Sequence, residues 1–199
     1  MYQLHNPMVR QFSQQSARNL ELTIAFVFST IREKTDRLPR YMIEYRKRGK
    51  NSSWIWGNKI AGVKYIKKHR EQLYTDMMKI IRAKKKDMDL DLMMLFIKVP
   101  GLGLPKAGFV VQLVAGKAGC MDIHNIRKYL KGMPPSWMST CGNSESTIRT
   151  KAIKYLSLTK KIGGSKTMWN NWCTHISILY PQHFPTPNHV SEVHRCIWK

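Results

Sequence analysis

Two apolar segments flank a glycine-containing turn in residues 92–115, which read LMMLFIKVPGLGLPKAGFVVQLVA. Apolar residues at helical spacing on both sides of the turn predict two consecutive helices. Pro100 favours an end to the first helix because proline lacks a backbone N–H and clashes with a continuing helix. Gly101 and Gly103 permit positive φ angles and a close approach of the backbone to a ligand. The sequence therefore predicts a helical hairpin whose turn, Val99-Pro100-Gly101-Leu102-Gly103, exposes its backbone.

The second helix of this hairpin presents unpaired N–H groups and the positive end of its dipole at the turn. Such a helix start can hold a phosphodiester without reading a base. We expect Pro100, Gly101, Leu102 and Gly103 to form a phosphate contact. An ordinary turn between helices is the alternative for the same residues.

The rest of the chain has the same helical periodicity, which predicts an all-α helical bundle of about eight to ten helices. Asn19 is a candidate N-cap for the first amphipathic segment, and Pro39 suits a first helical turn. The predicted helices span 19–32, 39–48, 60–83, 104–115, 123–130, 144–161 and 165–179, with a short helix starting at Pro187. A further helix, capped by Asp87 or Asp89, carries the apolar residues of 92–97. We expect residues 1–199 to form one domain, with a sub-boundary near 132–143 as the alternative.

Charge restricts the partners of the protein. Lys and Arg number 34 against 12 Asp and Glu, so the net charge is +22. The isoelectric point is near 10.1. This excess predicts a polyanionic partner, and RNA, duplex DNA and anionic lipid all fit it. The apolar run from Leu22 to Phe28 is far below the roughly 20 residues that cross a bilayer, so we expect no membrane span.

The hairpin, Ala107 and the downstream Met121-Asp122-Ile123-His124 together resemble the endonuclease III-like DNA glycosylases of the helix-hairpin-helix superfamily. The resemblance covers about residues 92–130. It implies that Asp122 is a catalytic carboxylate that stabilises a sugar cation or activates the nucleophile. A plain N-cap is the alternative for Asp122, and His124 is expected to be structural.

The resemblance leaves the role of Lys106 open. Bifunctional members of the family have a lysine two residues beyond the second hairpin glycine, and that position is Pro105 here. Lys106 lies one residue later, which turns its side chain about 100° around an ideal helix. Either a locally shifted helix brings Lys106 into the cleft, or the enzyme is monofunctional, or Lys106 contacts phosphate. The departure from the family pattern favours the last two, and therefore a monofunctional enzyme without lyase activity.

No cofactor is expected. The family's iron–sulfur loop needs four closely spaced cysteines, whereas Cys141, Cys173 and Cys196 are 32 and 23 positions apart. A zinc site from Cys173 and His175 with His194 and Cys196 is disfavoured, since residues two apart on a helix point about 200° apart. The scattered cysteines favour a reducing compartment, such as the cytoplasm or nucleoid, and the C-terminal segments suggest a divergent branch, including viral enzymes.

These observations predict an enzyme that excises or modifies a base flipped out of duplex DNA and acts as a monomer. Aromatic residues, among them Trp54, Trp56, Trp137, Trp169 and Trp172, are candidates for stacking on the base, with the core as their alternative. The runs Arg46-Lys47-Arg48 and Lys84-Lys85-Lys86 are candidate backbone contacts. A non-catalytic DNA-binding module and a basic RNA-binding protein are the competing functions.

Overall fold

The computed structural model describes residues 7–132 and 135–186, and within these ranges every regular element is helical. The prediction of an all-α bundle of eight to ten helices is confirmed. The helices are α1 (Pro7–Gln15), α2 (Ala17–Ser29), α3 (Leu38–Arg48), α4 (Asn58–Lys68), α5 (Arg70–Ala83), α6 (Met88–Ile97), α7 (Leu104–Ala115), α8 (Ile123–Leu130), α9 (Glu145–Lys161) and α10 (Gly164–Leu179). The predicted helix at Pro187 lies outside the described residues.

Two helices, α2 and α7, form the centre of the fold. Nearly all of their residues are buried because both are apolar around most of their circumference. Helix α2 packs against α1, α3, α4, α5 and α7, whereas α7 also contacts α1 and α6. Buried hydrophobic residues from Leu20 to Phe184 form one continuous cluster.

The second half of the chain packs through α6 and α9, and α10 packs against α8 and α9. Two ion pairs join α6 to α9: Lys160 lies 3.6 Å from Asp89, and Arg149 lies 4.0 Å from Asp91. Exposed pairs of this kind contribute at most about 1 kcal/mol each, so the apolar contacts dominate. The α6–α7 hairpin thus links the two halves of the bundle.

Side-chain caps fix several helix starts. Asp122 and Ser144 accept hydrogen bonds from the backbone N–H three residues later, as N-caps do. The prediction that Asn19 caps the first amphipathic helix is wrong, because Ser16 is the cap and Asn19 donates its N–H to it. The predicted helix over 60–83 is also wrong in part, since the chain bends at His69 between α4 and α5.

None of the helices in the described part of the chain is long and apolar enough to cross a membrane.

Candidate active site

The hairpin turn between α6 and α7 is anchored by two buried side chains, Val99 and Leu102. The N–H of Leu102 donates to the carbonyl of Val99 at 3.0 Å, which closes the turn. Gly101 has a φ of +85°, a conformation that glycine adopts without steric cost. Pro100 and Gly101 remain exposed. The surface part of the turn is therefore Pro100 and Gly101.

Helix α4 braces the inner side of this turn. A Cβ atom at Gly62 would lie 2.5 Å from the carbonyl oxygen of Pro100, so only glycine allows α4 to come this close. Among the hydrogen bonds of residues 7–132 and 135–186, none has the N–H of Gly101 or Gly103 as its donor. These two donors are available to an anion in solution.

Asp122 stands at the start of α8, where its Oδ1 accepts a hydrogen bond from the N–H of Asn125 at 3.0 Å. Asn125 in turn donates through Nδ2 to the carbonyl of Cys120 at 2.8 Å. The hydroxyl of Tyr155 on α9 donates to the carbonyl of Gly119 at 2.5 Å. The side chains of Asn125 and Tyr155 thus fix the backbone that carries Asp122. The second carboxylate oxygen of Asp122 keeps its capacity to accept.

A cavity of about 90 Å³ opens beside Asp122, between the end of α2 and helices α7 and α10. Its wall combines polar and aromatic side chains, including Lys106, Phe109, Gln112, Asp122, Trp169 and Trp172. One buried water needs about 10–15 Å³ of such space, so the cavity has room for several waters or a flat ring. We call it the aromatic cavity.

An open groove adjoins the aromatic cavity and shares part of its wall. Thr30, Glu33, Lys106 and Asp122 line both spaces. The groove adds Arg32 and Lys34, two exposed cations in the segment after α2. Asp122 and Lys106 therefore lie at the junction between a small aromatic space and a wide basic one.

Lys106 reaches this junction from the first turn of α7. Its Nζ donates to Oγ1 of Thr30 at 3.0 Å and lies 5.8 Å from the centre of the Phe109 ring. Lys106 therefore lines both the aromatic cavity and the adjoining groove. The structure brings Lys106 together with Asp122, although 15 residues separate them along the chain.

Glu33, at the same junction, forms an ion pair with Lys59 at 2.9 Å. Burial raises the pKa of Glu33, but hydrogen bonds from Lys59 and Tyr41 outweigh burial and leave that pKa below its usual value. Glu33 is therefore ionised at neutral pH. Lys59 neutralises the charge of Glu33, so the pair supports the wall of the cleft. The centre of the Trp56 ring lies 5.0 Å from the Lys59 ammonium nitrogen.

Cys120 lines the aromatic cavity but is a poor nucleophile. Burial raises the pKa of its thiol to about 12, although the nearby Lys106 acts in the opposite direction. The thiolate is the reactive form of cysteine, and it is scarce at neutral pH when the pKa lies this high. Among the described residues, no group of three or more His, Cys, Asp or Glu side chains could hold a metal ion.

Several predicted site residues lie away from the cleft. Lys84, Lys85 and Lys86 precede α6, whereas the hairpin follows it, so the ten residues of that helix hold the two features about 15 Å apart. Arg46-Lys47-Arg48 ends α3 and lines neither the aromatic cavity nor the groove.

Two of the predicted tryptophans also lie away from the cleft. Trp54 is buried against Tyr41 and Tyr45, and Trp137 packs under Lys154. The side chain of His124, and residues His194 and Cys196, lie outside the described residues.

Four residues of the cleft or its support were not predicted as such from the sequence: Glu33, Gln112, Asn125 and Tyr155. Gln112 had a usable signal, because it is the one strongly polar side chain within the apolar run from Phe109 to Ala115. A buried polar residue in an apolar helix is unusual and points to a specific partner. Tyr155 had no such signal, since tyrosines at helical spacing usually pack in a core.

No protein family, curated protein or solved structure matches this chain. The functional assignment of the cleft therefore depends on its geometry and on the motif resemblance.

Proposed function

We propose that this protein is an enzyme that removes a base from a nucleotide flipped out of duplex DNA. One observation carries the proposal: Asp122 and Lys106, which the motif resemblance singles out, line the same aromatic cavity. This arrangement is an independent observation, because neither the hairpin motif nor the net charge predicts that the two side chains line a cavity with aromatic walls. Enzymes that act on a base need such a pocket because the reacting atom is inaccessible inside the duplex.

DNA would bind across the hairpin and the basic groove. The free N–H groups of Gly101 and Gly103 hold one phosphate, and Arg32 and Lys34 neutralise others along the groove. The net charge of +22 adds a long-range attraction that does not depend on base sequence. In this arrangement a flipped nucleotide enters the cleft beside the hairpin, which fixes its backbone while the base passes inward.

In the proposed reaction the base occupies the aromatic cavity and the sugar lies beside Asp122. The bond between the base nitrogen and C1′ breaks, and its electron pair leaves with the base. The carboxylate of Asp122 stabilises the positive charge that develops on the sugar. A water molecule adds its oxygen to C1′, one of its protons goes to the departing base nitrogen, and an abasic site remains.

Lys106 allows a second course for the same reaction. Its neutral amine attacks C1′ in place of water, and the base leaves with the electron pair of its bond to C1′. The C1′–O4′ bond then opens to give a Schiff base between Lys106 and C1′, and the two protons of the amine go to the departing base nitrogen and to the ring oxygen. Its reach into the cleft, with Nζ at Thr30, supports this course. The hydrolytic and Schiff-base courses share Asp122 and differ in whether the protein becomes covalently attached to DNA.

Base release from defined duplexes tests the proposal. Wild-type protein and Asp122→Asn are incubated with duplexes that carry deaminated, oxidised, mismatched or hypermodified bases, and the free base is quantified. We expect release by the wild type and a loss of at least about 100-fold in the variant. Asp76→Asn on α5 is the matched control and should retain full activity. Equal release by wild type and Asp122→Asn would remove Asp122 from the mechanism.

Borohydride trapping separates the two courses. A Schiff base to Lys106 is reduced to a stable protein–DNA adduct, and Lys106→Gln should abolish that adduct. Lys117→Gln, an exposed residue just beyond α7, serves as the control. Base release without an adduct assigns the attack to water.

A non-catalytic DNA-binding module is the second candidate, and one contact favours it. Oδ1 of Asp122 accepts the capping hydrogen bond from Asn125, which is the ordinary role of an aspartate at a helix start. This candidate predicts tight duplex binding, no base release from any substrate and unchanged affinity in a variant that keeps the cap, Asp122→Asn.

A further inference from the structure

Gln112 is an unusual residue for its position in α7. It is 1% exposed, and its neighbours Val111 and Leu113 are fully buried apolar residues. Its Nε2 donates to the backbone carbonyl of Ser165, at the start of α10, at 2.7 Å. A buried amide needs partners for both of its polar atoms, because an unsatisfied one loses its hydration without compensation.

The bond to Ser165 fixes which end of the amide faces the cavity. A backbone carbonyl can only accept, so Gln112 must turn its NH₂ group toward Ser165 and its Oε1 away from it. Gln112 lines the aromatic cavity, and no described residue donates a hydrogen bond to Oε1. The cavity wall therefore contains an acceptor, on a side chain that is itself buried, to which none of the described residues donates.

Three aromatic rings line the same cavity as this acceptor. The rings of Phe109 and Trp169 lie 6.1 Å apart, and those of Trp169 and Trp172 lie 5.1 Å apart. Phe109 is one turn from Gln112 on the same face of α7, and all three rings line the cavity. Flat heterocycles stack on such rings, and the edge of a stacked ring is the part that reaches an acceptor in the wall.

We infer that Gln112 determines base specificity by accepting a hydrogen bond from an N–H group on the edge of the bound base. The inference depends on the proposed function, since it names the substrate class of the same cleft. The aromatic cavity takes a base whose inward edge carries an N–H, such as uracil, hypoxanthine or adenine. It rejects the same ring when that nitrogen is alkylated, because Oε1 then stays buried without a donor.

Binding of free bases to the wild-type protein tests this inference without relying on any variant. The probes are 1-methyluracil, 9-methylhypoxanthine and 9-methyladenine, in which a methyl group replaces the sugar. Each is paired with the analogue whose edge N–H groups are fully methylated. We expect at least one parent base to bind about 10- to 100-fold more tightly than its methylated analogue, measured by saturation-transfer NMR. Equal affinity within every pair, or no binding of any parent base, would overturn the inference.

Gln112→Met supplies the second arm of the test. Methionine preserves much of the length of the side chain and removes Oε1, so the preference for the parent base should disappear in this variant. A double-mutant cycle of protein and base isolates the hydrogen bond from any general loss of stability, which thermal unfolding monitors separately. Retention of the full preference in Gln112→Met would assign the selectivity to another residue.

The outcomes for this inference and for the proposed function are distinguishable. Base release that depends on Asp122, without any preference for an edge N–H, supports the enzyme and overturns the role of Gln112. A preference that depends on Gln112, without base release from any duplex, supports the base pocket and overturns the excision reaction.

Discussion

The hydroxyl of Tyr155 accepts a hydrogen bond from the backbone N–H of Met121 at 2.9 Å, one residue before Asp122. The same hydroxyl donates to the carbonyl of Gly119, so one side chain on α9 bridges both ends of the tight segment that leads to α8. Burial raises the pKa of Tyr155 well above its usual value, which keeps the hydroxyl protonated and able to donate. Asp122 thus owes its position to a residue 33 positions away in the sequence.

Tyr155→Phe should destabilise the protein and reduce activity together. Loss of the hydroxyl leaves the carbonyl of Gly119 and the N–H of Met121 without their partner, at a cost of about 1–3 kcal/mol in the free energy of unfolding. We also expect slower base release, because Asp122 is no longer fixed. Urea denaturation and single-turnover release measure the two effects. Tyr74→Phe on α5, which removes the bond to the carbonyl of Gln14, should lower stability alone. Unchanged release by Tyr155→Phe would show that Asp122 needs no such support.

Gly108→Ala should destabilise the bundle by about 1–3 kcal/mol, because added volume in a packed core forces shifts. A Cβ atom at Gly108 would lie 2.6 Å from the carbonyl oxygen of Gly119 and 2.8 Å from the Tyr155 ring. The better helix propensity of alanine offers only about 1 kcal/mol in return. Chemical denaturation measures the change, and a variant as stable as the wild type would contradict the close packing of α7 against this segment.

Gly103→Ala separates the phosphate contact of the hairpin from its stability. The nearest atom to a Cβ at Gly103 is 4.0 Å away, and its φ of −75° suits any residue. We therefore expect a loss of stability within about 1 kcal/mol. Duplex affinity should fall about fivefold, as for one weakened hydrogen bond, with no change in salt dependence because no charge is removed. If Gly103→Ala binds the duplex as tightly as the wild type, the DNA backbone does not contact the hairpin at Gly103.

The salt dependence of binding distinguishes the basic groove from the lysine run before α6. Arg32→Gln together with Lys34→Gln should reduce the slope of log affinity against log salt by up to about 1.8, which is about 0.9 for each phosphate that is no longer neutralised. The triple variant with Lys84, Lys85 and Lys86 replaced by Gln should change the slope less, because these residues lie at the far end of α6. Fluorescence anisotropy at several salt concentrations measures both slopes. A larger change in the triple lysine variant than in the Arg32 and Lys34 variant would place the DNA interface at the N-terminal end of α6.

Glu33→Gln should cost about 3 kcal/mol at pH 7, because Lys59, with a side chain 4% exposed, keeps its charge without an anionic partner. The folded-state pKa of Glu33 lies below its usual value of 4.5. The stability contributed by its charge is therefore present above pH 4.5 and is lost as the pH falls through the lowered pKa. Denaturation at pH 7 and pH 3 should show a large difference between wild type and variant that shrinks in acid. Glu71→Gln, in an exposed pair with Arg70, should show little difference at either pH.

Local patterns were sufficient to predict the helices because each depends on neighbours within a few residues. Helix α9 begins after the Ser144 cap and α10 ends at Leu179, both where periodicity indicated. The bend at His69 escaped prediction because α4 and α5 bury their apolar residues, including Ile66 and Leu73, in the same core. Periodicity identifies the buried face of a helix and says nothing of a change in axis direction.

The sequence by itself determined the all-α fold, the exposed turn at Gly101, the cap formed by Asp122 and the positive charge. Each of these follows from local sterics, local hydrogen bonding or composition. Only the tertiary structure decided that Gln112 lines the same cavity as the rings of Trp169 and Trp172, and that Lys106 lines it together with Asp122. Those arrangements depend on how α7 packs against α2 and α10, and packing depends on the shapes of many distant side chains at once.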